Sequence, residues 1–151
     1  PKRRKLMSTL TKEIVHGKTK YIQGDYYSKK NSCSFPYRSS YELAYLYQLE
    51  ADVKVVSYIY EPFNLYYNDV NSKQRVYKPD FMVLYGDGSV IITEVKPTAM
   101  LKDFDVQAKA KAAKQYLVEN YKDVDISYKF VTEKHLFNSD KEYTDFIKSI
   151  K

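Results

Sequence analysis

The stretch Tyr77-Lys78-Pro79-Asp80-Phe81, followed fourteen positions after Asp80 by Glu94-Val95-Lys96, constrains this chain more than any other. Two apolar runs lie between them, broken by Gly86-Asp87-Gly88, the composition of a tight hairpin turn. In a hairpin symmetric about Asp87, Asp80 faces Glu94 and Lys78 faces Lys96. Cross-strand neighbours have Cβ atoms roughly 5 Å apart, so both carboxylates can share one cation. A two-residue turn instead places Asp80 opposite Val95, with the acids on opposite faces, and a bulge at Gly88 shifts the register by one.

Strand alternation supports the shared face. Val90, Ile92, Glu94 and Lys96 point one way, and Ile91, Thr93 and Val95 the other. Two charges closing an apolar strand face are costly to bury without a partner or a metal. By itself Glu94-x-Lys96 reads as a surface ion pair at a strand end; Pro79-Asp80 at the facing position makes it a candidate metal site. Pro79 has no N–H, so its strand must lie at an edge or be distorted there. Such a distortion splays Asp80 away from its own strand.

Elsewhere the pattern predicts a helix from Ser39 or Ser40, either able to cap it, to about residue 50. Leu46 and Leu49 follow Glu42 at helical spacing, which aims Glu42 along the apolar edge; a first-turn Glu can also simply complement the helix dipole. Strands are predicted over residues 53–60, 63–68, 75–85 and 89–96, with Glu61-Pro62 and a polar turn at 68–73 between the first three. A helix follows over 103–119, its apolar side carried by Val106, Ala110, Ala113 and Leu117 with Ala108, Ala112 and Tyr116. Lys109, Lys111 and Lys114 fall outside that side, as solvated or phosphate-facing residues. A strand over 126–132 and a helix over 141–150 close the chain. Residues 1–17 read as a flexible basic lead with a short helical segment at 9–15, and residues 18–36 as an irregular arm leading into a single domain over 18–151.

The pattern Pro79-Asp80, hairpin turn, Glu94-x-Lys96 resembles the PD-(D/E)xK nuclease superfamily, which also tends to place an acid on the preceding helix, here Glu42. The segments Tyr37-Arg38-Ser39-Ser40-Tyr41-Glu42, Glu61-Pro62-Phe63, Tyr77-Lys78-Pro79-Asp80-Phe81 and Glu94-Val95-Lys96-Pro97 are most similar to the tailed-phage head-completion nucleases. They are also similar to the catalytic domain of the transposase subunit that cuts transposon 5′ ends. The similarity covers roughly residues 18–137. It implies a restriction-endonuclease-like α/β fold with an αβββαβ core, a mixed sheet flanked by helices.

The resemblance further implies a Mg²⁺-dependent endodeoxyribonuclease, with Mn²⁺ able to substitute. Glu42, Asp80, Glu94 and Lys96 are its expected catalytic residues. Asp80, Glu94 and the backbone oxygen of Val95 would ligate the metal, and Glu42 would reach it through a water. Lys96 would position or help deprotonate the attacking water. Gln107 is an accessory candidate, with plain surface polarity the equal alternative. Arg38, Lys78, Lys29 and Lys30 are candidate phosphate contacts, which position DNA without reading sequence. No recognition helix or zinc finger is evident, so weakly specific cutting is expected. The alternatives are a transposase nuclease subunit with a recombinase partner, and a non-catalytic DNA-binding virion assembly protein with capsid or portal partners. Dimerisation is left open.

Composition agrees with a polyanionic partner: the formal net charge is +6, and a positive surface attracts phosphate. Pro1-Lys2-Arg3-Arg4-Lys5 reads as a DNA-binding arm or equally as a solubilising tail. No apolar run approaches the ~20 residues of a membrane span, and no signal-peptide core is visible. One cysteine, Cys33, excludes an internal disulfide and fits a reducing cytoplasm, of a host cell if the protein is phage-encoded, with the virion as the other setting. Two histidines, His16 and His135, support neither a zinc site nor a cysteine–histidine nucleophile pair.

Overall fold

A computed structural model of the chain describes residues 8–16 and 19–150. The basic run at residues 1–5 lies outside them. The chain divides into two compact units, one of residues 1–53 with 133–151 and the other of residues 54–132. Among the described residues no helix is long and apolar enough to cross a membrane.

The first unit opens with three antiparallel strands in sequence order, β1 (Ser8–His16), β2 (Thr19–Ser28) and β3 (Cys33–Tyr37). Strand replaces both the helical segment expected at 9–15 and the irregular arm expected at 18–36. The alternation is hard to see in the sequence because a polar residue occupies an inward position. Ser28 is fully buried beside buried Tyr26. Its hydroxyl donates to Glu50 Oε2 at 2.9 Å and accepts from the Asn31 N–H at 3.1 Å, closing the β2–β3 turn.

Helix α1 (Ser40–Ala51) follows, capped by Ser39, whose Oγ accepts from the Glu42 N–H at 3.1 Å. Leu43, Leu46 and Leu49 are buried on its inner side. At its other end Lys30 Nζ donates to the carbonyls of Leu49 and Asp52, satisfying acceptors that a helix C-terminus leaves open. The unit ends in two helices at the C-terminal end, α3 (Glu133–Leu136) and α4 (Asp140–Ile150).

The second unit is built on a mixed four-strand sheet. Its strands are β4 (Val55–Tyr60), β7 (Phe81–Tyr85), β8 (Val90–Val95) and β9 (Ile126–Val131), neighbours in that order. The first three pair antiparallel, while β8 and β9 are parallel, a connection that needs a crossover. Helix α2 (Phe104–Asn120) makes it, capped by Asp103 Oδ1, which accepts from the N–H groups of Asp105 and Val106. Val106, Ala110, Ala113 and Leu117 are its buried residues, the stripe the 3.6-residue period predicts. Ala110, Ala113 and Leu117 pack with Ile92, Tyr128, Leu65 and Tyr77 into one core. This α/β unit, with α1 preceding it in the chain, has the order expected of a restriction-endonuclease-like fold.

One predicted strand is in fact two. Residues 75–85 divide into β6 (Gln74–Tyr77) and β7, separated by Lys78-Pro79-Asp80. Strand β6 pairs with β5 (Leu65–Asn68) in a separate two-stranded ribbon. Buried Pro79, unable to donate to a ladder, marks the break.

The ribbon's turn is organised by Asp69, whose Oδ1 accepts from the Asn71 and Lys73 N–H groups and whose Oδ2 accepts from Arg75 Nε, each at 2.9 Å. The Arg75 bond, and then the backbone bonds, hold the Asp69 carboxyl below the usual carboxylate range. A depressed folded-state pKa adds stability above the ordinary value of about 3.9, and that stability is lost as pH falls through the folded value. Asp69→Ala is therefore expected to lower the melting temperature near neutral pH, with a deficit that narrows as the parent is acidified below about pH 4. A deficit independent of pH in paired melting curves would show that the charge is not what organises the turn.

Candidate active site

The site is assembled at the open end of the β7–β8 hairpin. The loop Gly86-Asp87-Gly88 closes the other end, with Gly88 at φ 89°, the left-handed conformation glycine adopts without strain. Asp87 Oδ1 accepts from the Ser89 N–H at 2.9 Å. The ladder pairs Leu84 with Val90, Met82 with Ile92 and Phe81 with Thr93. This is the register symmetric about Asp87, so Asp80 stands one step beyond the last pair, opposite Glu94.

Backbone and side-chain bonds hold that step in place. The Glu61 N–H donates to the Asp80 carbonyl at 2.8 Å, and the Val95 N–H donates to Asp80 Oδ2 at 2.7 Å. Glu61 takes φ 46° to do so, a left-handed conformation uncommon for a side-chain-bearing residue. Glu94 is only 6% exposed. Its Oε1 accepts from the Tyr77 hydroxyl at 2.7 Å, and that hydroxyl shares a 2.9 Å hydrogen bond with the Tyr128 hydroxyl. Lys96 Nζ lies 3.9 Å from Glu94 Oε2.

Burial pushes the Glu94 pKa up, opposed by the Tyr77 hydrogen bond and by the charges of Lys96 and Lys109. Burial, with the Glu94 charge beside it, raises the Tyr77 hydroxyl as well, so Tyr77 stays protonated and serves as a donor. Buried charge facing a fixed donor and two ammoniums is an electrostatic arrangement typical of functional sites.

The remaining sequence candidates sit as follows. Glu42 lies in the first turn of α1, half-buried, its carboxylate 3.4 Å from the Ser39 hydroxyl. Lys30 donates its amine to the Leu49 and Asp52 carbonyls at the end of α1. Lys29 and Arg38 are exposed in the first unit. Lys78 is half exposed, with Nζ 3.9 Å from Glu61 Oε2. Gln107 is exposed and its amide donates to the Leu101 carbonyl, so its described bond is within the loop before α2.

Sequence reasoning gave no role to Tyr128, quoted Tyr77 only as part of its motif, and left Lys109 as a solvated or phosphate-facing residue. Tyr128 and Tyr77 come together only through the fold, since β9 reaches β8 by a crossover. Lys109 carried a readable signal: it stands three after Val106 and four before Ala113, on the edge of the buried stripe of α2.

Residues 52–133 match a family described as TnsA-like endonuclease N terminal. No curated protein matches the chain.

Proposed function

Since the chain belongs to the TnsA-like endonuclease N-terminal family, a PD-(D/E)xK nuclease-like family of the transposase nuclease subunit, we propose that it is a metal-dependent DNA endonuclease that cuts transposon ends beside a recombinase partner. The observation that carries this reading is Asp80 opposite Glu94, one step past the β7–β8 ladder, with the Lys96 ammonium 3.9 Å from Glu94. The family match favours the transposase-subunit alternative over the head-completion reading that motif context placed first. Capsid and portal partners go with that earlier reading.

Asp80, Glu94 and the Val95 carbonyl oxygen would hold Mg²⁺, or Mn²⁺ in its place. They are hard oxygen donors of the kind the ion prefers. Among the described residues no group of three or more His, Cys, Asp and Glu side chains gathers as a metal cluster. Two carboxylates suit Mg²⁺, which keeps several waters and also binds substrate phosphate. When bound, the ion polarises the scissile phosphate and acidifies a water.

The protein's own groups do the rest. The Tyr77 hydroxyl and the Val95 N–H orient the two carboxylates, as outer partners of metal ligands commonly do. Lys96 orients the attacking water, and its charge opposes the negative charge building on the phosphoryl oxygens as the water oxygen bonds to phosphorus and the P–O bond to the leaving sugar oxygen breaks. Glu42 enters through the sequence resemblance alone, as holder of a water or a second ion. Lys29, Arg38 and Lys78 are proposed backbone phosphate contacts, which give affinity without sequence readout.

The test is cleavage of supercoiled plasmid, linear duplex and transposon-end DNA with Mg²⁺ or Mn²⁺ against EDTA, with and without a transposase recombinase. Metal-dependent cutting directed to transposon ends by the recombinase is expected. Tight DNA binding without cutting in any metal would instead favour a non-catalytic DNA-binding assembly protein.

A further inference from the structure

Lys109 is a half-buried lysine on α2 that the sequence leaves as solvated or phosphate-facing. Its Nζ lies 5.5 Å from the ring centroid of Tyr67 and 5.5 Å from that of Tyr77, both within cation–π range. The two rings stand edge to face, with centroids 6.4 Å apart, and form a corner that holds the ammonium. Tyr77 is also the residue whose hydroxyl binds Glu94. One side chain therefore fixes the acid at its tip and the lysine at its face. The charge of Lys109 reaches Glu94 as well, acting with that of Lys96 to favour the ionised carboxylate.

We infer that Lys109 is a second cation of the active site, held by Tyr67 and Tyr77 to bind the DNA phosphate at which cleavage occurs. The inference rests on the nuclease reading above. Local charge supports it. On the hairpin Asp80 and Glu94 carry two negative charges against the one positive charge of Lys96, and Lys109 supplies the second. A lysine parked on aromatic faces remains partly desolvated and aimed, whereas one on a freely solvated helix face must be ordered by the substrate at an entropic cost. Lysine, a compact ammonium with three donors, suits a single phosphate oxygen.

The experiment compares the parent chain with Lys109→Ala, Lys109→Arg and Lys122→Ala. Lys122 is exposed just past the C-terminal end of the same helix and serves as the control of equal charge change. Single-turnover cleavage in Mg²⁺ is read together with the salt dependence of duplex binding in Ca²⁺, and with thermal melting. Lys109→Ala is expected to cut about a hundredfold more slowly and to reduce the salt slope of binding by about 0.9, the loss of one phosphate contact. Lys109→Arg recovers part of both, and Lys122→Ala changes neither.

Slower cleavage with an unchanged salt slope would overturn the phosphate contact and leave Lys109 acting only on Glu94. Unchanged cleavage and slope would overturn the inference outright. Should Lys109→Ala melt early, Lys109→Met, which keeps the stem against the rings, takes its place. If the parent itself cuts nothing, the nuclease reading fails separately, and an unchanged salt slope then overturns the phosphate contact as well.

Discussion

Replacing Lys96 by alanine is expected to slow DNA cleavage by about a hundred- to ten-thousandfold, the range lost when a positioned proton-transfer group is removed, while leaving the fold intact. The lysine directly follows β8, with its backbone N–H bonded to the Val131 carbonyl at 2.9 Å, a bond alanine keeps. Its side chain is a quarter exposed, and its ion pair with Glu94 spans 3.9 Å, so melting should change little. Asp80→Asn should lose cutting to a similar degree. The Asn carbonyl can still accept from the Val95 N–H that now bonds Asp80 Oδ2, but it carries no charge for a divalent ion. Either variant, folded and cutting at the parental rate, would show that the site lies elsewhere.

Ile92→Ala is expected to carry the largest cost in stability. Ile92 is fully buried where β8 meets α2, in one cluster with Leu65, Tyr77, Ala110, Ala113, Leu117 and Tyr128. Truncating a buried isoleucine costs about 2–5 kcal/mol through lost transfer energy and the cavity left behind. The alanines of α2 bring its backbone close to the sheet, so few flexible side chains remain nearby to fill the space. At roughly 2–4 °C per kcal/mol for a chain of this size, the shift is readily measured. Val118→Ala on the same helix removes a residue that is 69% exposed and should fall within about 0.5 kcal/mol of the parent. Equal melting of the two variants would mean that the α2–sheet contact contributes little.

Glu94 shares that core, and it is where stability and function part. The strand that buries Ile92 carries, two residues on, a carboxylate that is 6% exposed, at a cost an apolar residue would not incur. The Tyr77 hydroxyl and two lysines offset part of that cost. A bound divalent ion would offset more.

Much of this could be read along the chain. The helices α1 and α2, a cap at Ser39 or Ser40, the buried stripe of α2 and the β7–β8 hairpin all follow from local rules of period, capping and turn chemistry. The register that sets Asp80 opposite Glu94 was one of those the turn allows, because a hairpin converts sequence spacing into cross-strand position. The strands β1, β2 and β3 could not be read in this way, since Ser28 sits inward where alternation calls for an apolar residue. The division of residues 75–85 into β6 and β7 was announced by Pro79, but the proline could not say that the first half would leave the sheet for a ribbon with β5.

Lys30 and Lys109 mark the boundary most clearly. Both are lysines in basic stretches, and composition treats them alike. Tertiary structure gives one to the carbonyls ending α1 and the other to the corner of Tyr67 and Tyr77 beside Glu94. The sequence by itself determined that Asp80 and Glu94 share one hairpin, because their spacing is local, and the fold selected the symmetric register among those the turn allows. Which cation and which tyrosines surround them was decided only when β9 and α2 packed against that hairpin, because side chains far apart in the chain find their partners through burial, and burial belongs to the whole fold.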